Sequence, residues 1–117
     1  MAAASARELA GSQPKVVLCH QDLQGSNILR AQREPWLAID PKPIVGEPAF
    51  DVASLLRDRR WSIDRRIIQR RLDLLAAELD LERDRMQGWG LVHALHWGVG
   101  PKKIDADLVE CARLLAA

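Results

Sequence analysis

The sequence predicts an α+β fold in which short β-strands come first and helices follow. Three short apolar runs, at 15–19, 27–31 and 35–40, are separated by polar or turn-forming residues and are too short for helices. From Phe50 onward, the apolar residues instead recur at helical spacing. Between these two parts, residues 41–48 carry three prolines and one glycine, which predict a loop without regular structure.

The first part of the chain is compatible with a helix that ends before Pro14. The following run, KVVLC, is rich in β-branched residues and predicts a strand. The runs NILRA and PWLAID are separated by the polar segment QRE, which is the pattern of a β-hairpin. A strand followed by a hairpin is therefore expected before the proline-rich loop.

Four helical segments are predicted after that loop, at 50–60, 62–79, 80–99 and 103–117. In the second segment Ser62 is the expected N-cap, and the expected buried face includes Ile67 and Leu74. Gly88 and Gly90 weaken the third segment because glycine is a poor helix former.

Composition indicates one modest domain in a reducing compartment. The chain has 117 residues, of which 48% are hydrophobic and 28% charged, and its net charge is +1. This balance gives no overall field that would attract nucleic acid or a membrane surface. The two cysteines are far apart and form no CxxC pair, and no apolar run approaches membrane-spanning length. We therefore expect a soluble, cytoplasmic protein with neither nucleic acid nor membrane as a partner.

Three polar residues between the first strand and the hairpin carry the strongest chemical pattern. His20, Asp22 and Asn27 form H-x-D-x-x-x-x-N, which matches the catalytic loop of protein kinases. Phosphoryl transfer requires a carboxylate that accepts the proton of the attacking hydroxyl, and Asp22 suits this role. It also requires oxygen ligands for Mg²⁺, a hard cation, and Asn27 offers its amide oxygen. Asp40, at the far end of the hairpin, supplies the second expected metal ligand.

The segment CHQDLQGSNILRAQREPWLAIDPKPIVGEPAFDVASLLRDRR closely resembles the aminoglycoside and hydroxyurea antibiotic resistance kinases. The streptomycin phosphotransferases are the members it resembles most. The resemblance runs from Val16 to Arg60 and continues more loosely through 70–98. It implies the fold of protein kinases, with Asp22 as the catalytic aspartate and with Asn27 and Asp40 as ligands of Mg²⁺. It also implies ATP as co-substrate.

Two further residues receive structural roles from the same resemblance. Asp51 matches an acidic residue at the start of the next helix and is expected to act as an N-cap or as a brace for the catalytic loop. His20 is expected to hold the loop through hydrogen bonds rather than to transfer protons. The chain departs from the family pattern at one position of this motif, where it reads H-Q-D instead of H-G-D.

A larger departure concerns the part of the kinase fold that covers the nucleotide. Only 19 residues precede His20, with one glycine and one lysine, and no small lobe fits in them. The resemblance therefore implies a single partial domain over 1–117, the C-terminal lobe of a protein kinase-like fold with the N-lobe absent. Residues 16–49 form its catalytic and metal-binding segment, and residues 50–117 form its helical bundle. Self-association or pairing with a separately encoded N-lobe is a corresponding expectation.

The expected function is a phosphotransferase that moves the ATP γ-phosphate to an alcohol group of an aminoglycoside such as streptomycin, or to hydroxyurea. The alternative is a catalytically inactive truncated remnant, or an interaction module that keeps the fold of the lobe. Acceptor-binding residues stay unassigned, although three acidic residues are available: Asp80, Glu82 and Asp84.

Other chemically capable residues have simpler interpretations. Cys19 is read as a buried strand cysteine rather than a nucleophile, because no separate base is indicated. His93 and His96 lack further ligands at metal-binding spacing. The arginine-rich stretch at 57–71 is read as a solvated helical face rather than a nucleic-acid site, since aspartates interrupt it. Trp97 is read as a packing residue, with the lining of an acceptor pocket as the alternative.

Overall fold

A computed structural model describes residues 2–58 and 64–116 of the chain. Within these residues, helices are combined with small antiparallel sheets, which is the α+β class that the sequence predicts. The elements, in chain order, are α1 (Ala2–Gly11), β1 (Val17–Cys19), β2 (Ile28–Arg30), β3 (Trp36–Ala38), β4 (Ile44–Gly46), α2 (Pro48–Val52), α3 (Arg65–Leu79), α4 (Arg83–Gly98) and α5 (Ala106–Ala116). Two 3₁₀ turns, Gly25–Asn27 and Ala53–Leu55, complete the arrangement. No helix in this part of the chain is long and apolar enough to cross a membrane.

The strands form two separate two-stranded antiparallel sheets. In one sheet β2 pairs with β3, which confirms the predicted hairpin. In the other, β1 pairs with β4, so that Leu18 lies opposite Val45. Two main-chain hydrogen bonds link the segment between β3 and β4 to the segment between β1 and β2. Ile39 N donates to the Asn27 carbonyl at 2.8 Å, and Lys42 N donates to the His20 carbonyl at 2.9 Å.

The prediction that 41–48 lacks regular structure was wrong, because Ile44–Gly46 forms strand β4. Ile44 and Val45 are β-branched and suit extended backbone once β1 offers a partner. The prolines lie outside the strand, so no hydrogen bond of the ladder is lost to them. Pro48 instead opens α2, where the missing N–H has no helical partner to lose.

The helix that follows is shorter than predicted. It ends at Val52 and continues as a 3₁₀ turn over Ala53–Leu55 instead of running to residue 60. Beyond this turn, Asp58 reaches back to the catalytic segment and accepts a hydrogen bond from Gly25 N at 2.7 Å. The chain after the turn thus makes a tertiary contact instead of continuing the helix.

Asp64 is the N-cap of α3, and its side chain accepts hydrogen bonds from Arg66 N and Ile67 N. The expected cap, Ser62, lies outside the described residues. The buried face of α3 also differs from the expected one. Leu74 was expected to be buried but is exposed, whereas Ile68 and Leu72 are buried.

The core lies between α4 and the helices around it. Gly90 of α4 allows close packing, because a Cβ added there would lie 2.9 Å from Leu56 Cδ1 and 3.2 Å from Leu115 Cδ1. The two glycines that weakened the prediction of this helix therefore lie where neighbouring side chains approach α4 closely, with Leu9 of α1 against Gly88. The buried residues of the core come from the helical part of the chain: Ala49, Ala53, Leu56, Ile68, Leu72, Met86, Trp89, Ala94, Cys111, Ala112, Leu114 and Leu115.

Candidate active site

The segment from His20 to Asn27, here called the HxD loop, connects β1 to the hairpin. Asp51 of α2 holds its start, since Oδ2 accepts from His20 N and Oδ1 accepts from Gln21 N, both at 2.8 Å. Asp51 lies within α2, whose N-cap position is Glu47. Of the two roles considered for Asp51, its geometry is therefore that of a brace for the loop.

His20 links the HxD loop to the end of the hairpin. Its Nδ1 accepts a hydrogen bond from Asp22 N at 3.2 Å, so the ring proton is assigned to Nε2. Nε2 then donates to the Ile39 carbonyl at 2.7 Å. Both ring nitrogens are thus occupied by main-chain partners, an arrangement that suits a residue holding two segments together.

Gln21 has a φ of 76°, in the left-handed region that favours glycine. This is the position at which the chain reads H-Q-D where glycine is usual in the family it resembles. The Gln21 side chain lies beside a cavity of about 220 Å³, whose apolar wall includes Phe50 and Trp97.

Asp22 is buried, and both of its carboxylate oxygens have cationic partners. Oδ1 accepts from Arg57 Nη2 and Oδ2 accepts from Lys42 Nζ, each at 3.0 Å. Burial by itself raises the pKa of the Asp22 carboxyl, but hydrogen bonds and positive charge from Lys42 and Arg57 outweigh it. The pKa therefore lies below its ordinary value, and the group is a carboxylate at neutral pH.

Asn27 lies next to Asp22. Its Nδ2 donates to the Asp22 main-chain carbonyl at 2.8 Å and to Oδ2 at 3.2 Å. The amide nitrogen therefore faces Asp22, and the amide oxygen accepts no hydrogen bond from a residue in the described part of the chain. The 3₁₀ turn of Gly25–Asn27 produces this close approach from residues five apart in sequence.

Asp40 follows the hairpin and has a φ of 53°, which aspartate tolerates better than most residues. It is the residue after Ile39, whose N–H binds the Asn27 carbonyl, so the main chains of the two predicted metal ligands are neighbours. Asp40 is exposed, and its carboxylate has no hydrogen bond or ion pair within the described ranges. Across those same ranges, no three His, Cys, Asp or Glu side chains are grouped as a metal site.

Four charged or polar residues that sequence reasoning did not assign to the site contact it or support it: Lys42, Arg57, Asp58 and His93. Arg57 and Asp58 were read as part of a solvated basic face, yet both are buried. Helical spacing offered one indication, because Arg57 lies four residues after the buried Ala53. Lys42 and His93 carried no comparable pattern.

His93 contacts the Arg57 side chain. Arg57 Nε lies 3.5 Å from His93 Nδ1, and the imidazole packs against the Phe50 ring at 4.6 Å. Burial lowers the pKa of His93 to about 3, with further lowering by the charges of Arg57 and His96. The Phe50 main chain slightly opposes this lowering of the pKa. His93 Nε2 has no hydrogen-bond partner among the described residues. His93 is thus a neutral side chain at physiological pH.

A second, polar cavity of about 210 Å³ opens beside Asp22. Its lining includes Arg57, Trp97 and Asp105. Trp97 borders both cavities and has Arg57 Cζ at 5.3 Å and Lys42 Nζ at 5.6 Å from its ring centroid. Of the two readings of Trp97, its position at the cavity walls corresponds to the lining of a pocket. The acidic residues of the α3–α4 connection line neither of these cavities.

Both cysteines are buried and unpaired in disulfides. Burial raises the pKa of Cys19, and the nearby Asp51 carboxylate raises it further. Burial raises the pKa of Cys111 to about 11. Neither thiol therefore has the low pKa of a nucleophile.

Comparison with known proteins places this arrangement in a family. Residues 1–102 match the family described as aminoglycoside/hydroxyurea antibiotic resistance kinase. The chain is 46% identical to a streptomycin 6-kinase from Streptomyces griseus, over 97% of this chain and 40% of the relative. It is 39% identical to a hydroxyurea phosphotransferase from Kitasatospora aureofaciens, over 76% of this chain and 25% of that protein.

A more distant relative is a streptomycin 3''-kinase from Klebsiella pneumoniae, 32% identical over 75% of this chain and 36% of its own length. No solved structure matches significantly. The chain spans about 40% of the length of the streptomycin 6-kinases it matches and corresponds to their C-terminal part. The chain belongs to the aminoglycoside/hydroxyurea antibiotic resistance kinase family.

Proposed function

We propose that this chain carries the acceptor-activating and metal-binding half of a kinase site that transfers the γ-phosphate of ATP to a hydroxyl group of a small molecule. The candidate acceptors are an aminoglycoside such as streptomycin, and hydroxyurea, the compounds named for its relatives. The observation that carries the proposal is the contact of Asp22 with Asn27, in a loop held by Asp51 and followed closely by Asp40.

In this proposal Asp22 is the general base. The acceptor hydroxyl oxygen forms a bond to the γ-phosphorus while the bond from that phosphorus to the bridging oxygen of ADP breaks, and the hydroxyl proton passes to an Asp22 oxygen. The lowered pKa of Asp22 keeps it ionised and able to orient the hydroxyl. Most of the rate would come from positioning and from charge neutralisation.

The donor set of Asn27 and Asp40 fits Mg²⁺. An amide oxygen and an exposed carboxylate, neither with a partner in the described residues, are the hard ligands this ion uses. Mg²⁺ commonly takes only one or two protein ligands and fills its shell with water and phosphate oxygens, so a larger acidic cluster is not required. When bound, it would neutralise phosphate charge.

ATP also needs a lobe that covers its phosphates and base, which family members supply. We propose that such a lobe, on the same polypeptide or a separate one, completes the site. The two-stranded sheet of β1 and β4 exposes three apolar residues suited to contact with another protein surface: Leu18, Ile44 and Val45.

That exposed sheet also favours the second candidate, an interaction module without catalytic activity. Leu18 is 76% exposed and lies opposite the exposed Val45 on the paired strand. Such a module would use this apolar surface to bind a second copy of the chain or a separate protein and would need no nucleotide.

A phosphotransfer assay separates the two candidates. The chain, joined to the N-terminal part of the Streptomyces griseus streptomycin 6-kinase that it matches, is incubated with Mg²⁺ and γ-labelled ATP and with streptomycin or hydroxyurea, alongside the same protein with Asp22→Asn. We expect label on one acceptor and a loss of about 10²–10⁴-fold in Asp22→Asn, the usual contribution of a general base. A folded protein of this kind that neither transfers label nor changes its melting temperature with Mg²⁺ and ATP would leave the interaction module as the function.

A further inference from the structure

The partners of Asp22 use most of its capacity to accept hydrogen bonds. Oδ1 accepts from Arg57 and Oδ2 from both Lys42 and Asn27, which together occupy three of the roughly four lone-pair positions of the carboxylate. A general base must offer an oxygen within about 2.6–3.2 Å of the hydroxyl it activates. Release of a cationic contact would give Asp22 a second open position and would remove a positive charge that opposes its protonation.

The two cations differ in how firmly they are held. The Arg57 side chain is 7% exposed, and it also contacts His93 and the Trp97 ring. The Lys42 side chain is 56% exposed, and within residues 2–58 and 64–116 its amine contacts only Asp22 and the Trp97 ring. Lys42 is therefore the partner that can leave Asp22 at little cost.

The main chain at Lys42 is nevertheless well positioned. Its N–H donates to the His20 carbonyl at 2.9 Å, and the residue lies between Pro41 and Pro43, which restrict the backbone. The flexible part is thus the side chain alone, attached two residues after the proposed metal ligand Asp40. A movement of the amine from Asp22 to a nearby anion needs only rotamer changes.

Two cations lie where an anion beside Asp22 could meet them. Lys42 and Arg57 each contact the Asp22 carboxylate at 3.0 Å, while Asp105 adds one negative charge to the lining of the adjoining cavity. A phosphoryl group brought next to Asp22 alone would be repelled by the carboxylate, whereas a lysine ammonium is a common phosphate ligand.

We propose that Lys42 binds an oxygen of the transferred phosphoryl group. Its Nζ leaves Oδ2 of Asp22 for that oxygen, and Oδ2 then accepts the proton of the acceptor hydroxyl. Lys42 keeps its three protons throughout, and Arg57 stays on Oδ1 and holds the carboxylate in place. The inference rests on the proposed function and adds to it a phosphate ligand outside the H-x-D-x-x-x-x-N motif.

The test measures ligand binding by the chain joined to the N-terminal part of its Streptomyces griseus relative. Binding of a non-hydrolysable ATP analogue with Mg²⁺, and separately of inorganic phosphate, is measured by NMR on the wild type, Lys42→Gln, Lys42→Arg and the exposed control Lys102→Gln. We expect at least tenfold weaker binding of one or both ligands in Lys42→Gln, substantial recovery in Lys42→Arg and wild-type binding in the control. If only the binding of inorganic phosphate depends on Lys42, the residue belongs to a general phosphate site. If only the binding of the ATP analogue depends on Lys42, the residue belongs to a triphosphate site.

Equal ligand affinity in Lys42→Gln and wild type would overturn the inference, even where Asp22→Asn abolishes transfer and the proposed function stands. Absence of any binding by the folded wild-type protein with the N-terminal part present would instead remove the proposed function and this inference with it.

Discussion

Glu47 and Arg85 form a buried ion pair that joins the segment after β4 to helix α4. Arg85 Nη2 lies 2.5 Å from Glu47 Oε1, and the Glu47 side chain is 3% exposed. Trp89 Nε1 also donates to Oε1, and Arg85 extends the connection to the Leu9 carbonyl of α1. The Glu47 carboxylate and its partner Arg85 thus connect helix α1, the segment after β4 and helix α4, which are far apart in the sequence.

Glu47→Gln is expected to lower the free energy of unfolding by about 3–5 kcal/mol, because it leaves the Arg85 charge buried without its partner. The measurement is urea unfolding at neutral pH. Glu110→Gln is the matched control, since the Glu110–Arg113 pair is solvent-exposed and its loss should leave the midpoint unchanged. Similar midpoints for the two variants would contradict the importance of the Glu47 cluster.

The free energy of unfolding is expected to decrease as the pH is lowered from 6.5 to 4.5, because His93 is neutral in the folded protein. The pKa of His93 is about 3 in the folded protein and 6.5 in the unfolded chain, so the unfolded state binds an extra proton in this window. Stability is therefore fully present above pH 6.5 and decreases as the pH falls, by up to about 1.4 kcal/mol per pH unit. Asp22 and Glu47, with lowered pKa values, act in the same direction only at lower pH.

Urea unfolding across this pH range checks the prediction, with His93→Gln and the exposed His96→Gln compared with wild type. His93→Gln should flatten the pH dependence by close to one proton, whereas His96→Gln should retain the wild-type slope. A slope that survives in His93→Gln would show that another group is responsible.

Gln21→Gly is expected to raise the free energy of unfolding by about 0.5–1 kcal/mol. A non-glycine residue in the left-handed region costs about 1–2 kcal/mol, and the extra freedom of glycine in the unfolded chain returns part of the gain. Gln24→Gly, in the same loop but at a φ of −95°, should instead be destabilising. Thermal unfolding of the two variants tests the opposite signs, and a loss of stability in Gln21→Gly would refute the backbone argument.

Asp40→Asn is expected to weaken Mg²⁺ binding about tenfold or more, because one hard anionic ligand is replaced by a neutral one. The measurement is the increase in melting temperature with Mg²⁺ and an ATP analogue, compared with Asp107→Asn, an exposed aspartate in the first turn of α5. Equal responses in both variants would argue against Asp40 as a metal ligand.

Local chemistry along the chain was enough to predict the hairpin, most of the helices and the adjacency of Asp22 to Asn27. These features depend on residues a few positions apart, so that turn geometry and helical or strand periodicity decide them. The family could also be recognised at this level, because its motif lies within one continuous segment, and the match over residues 1–102 confirms it.

Tertiary structure alone decided the features that depend on distant partners. Strand β4 forms because β1 lies beside it, although the prolines around it indicated a loop. The charges around Asp22 come from Lys42 and Arg57, 20 and 35 residues away, and Glu47 finds Arg85 at a separation of 38. Whether an arginine faces solvent or a buried carboxylate depends on which surfaces pack together, and this information is not contained in the local pattern of any one segment.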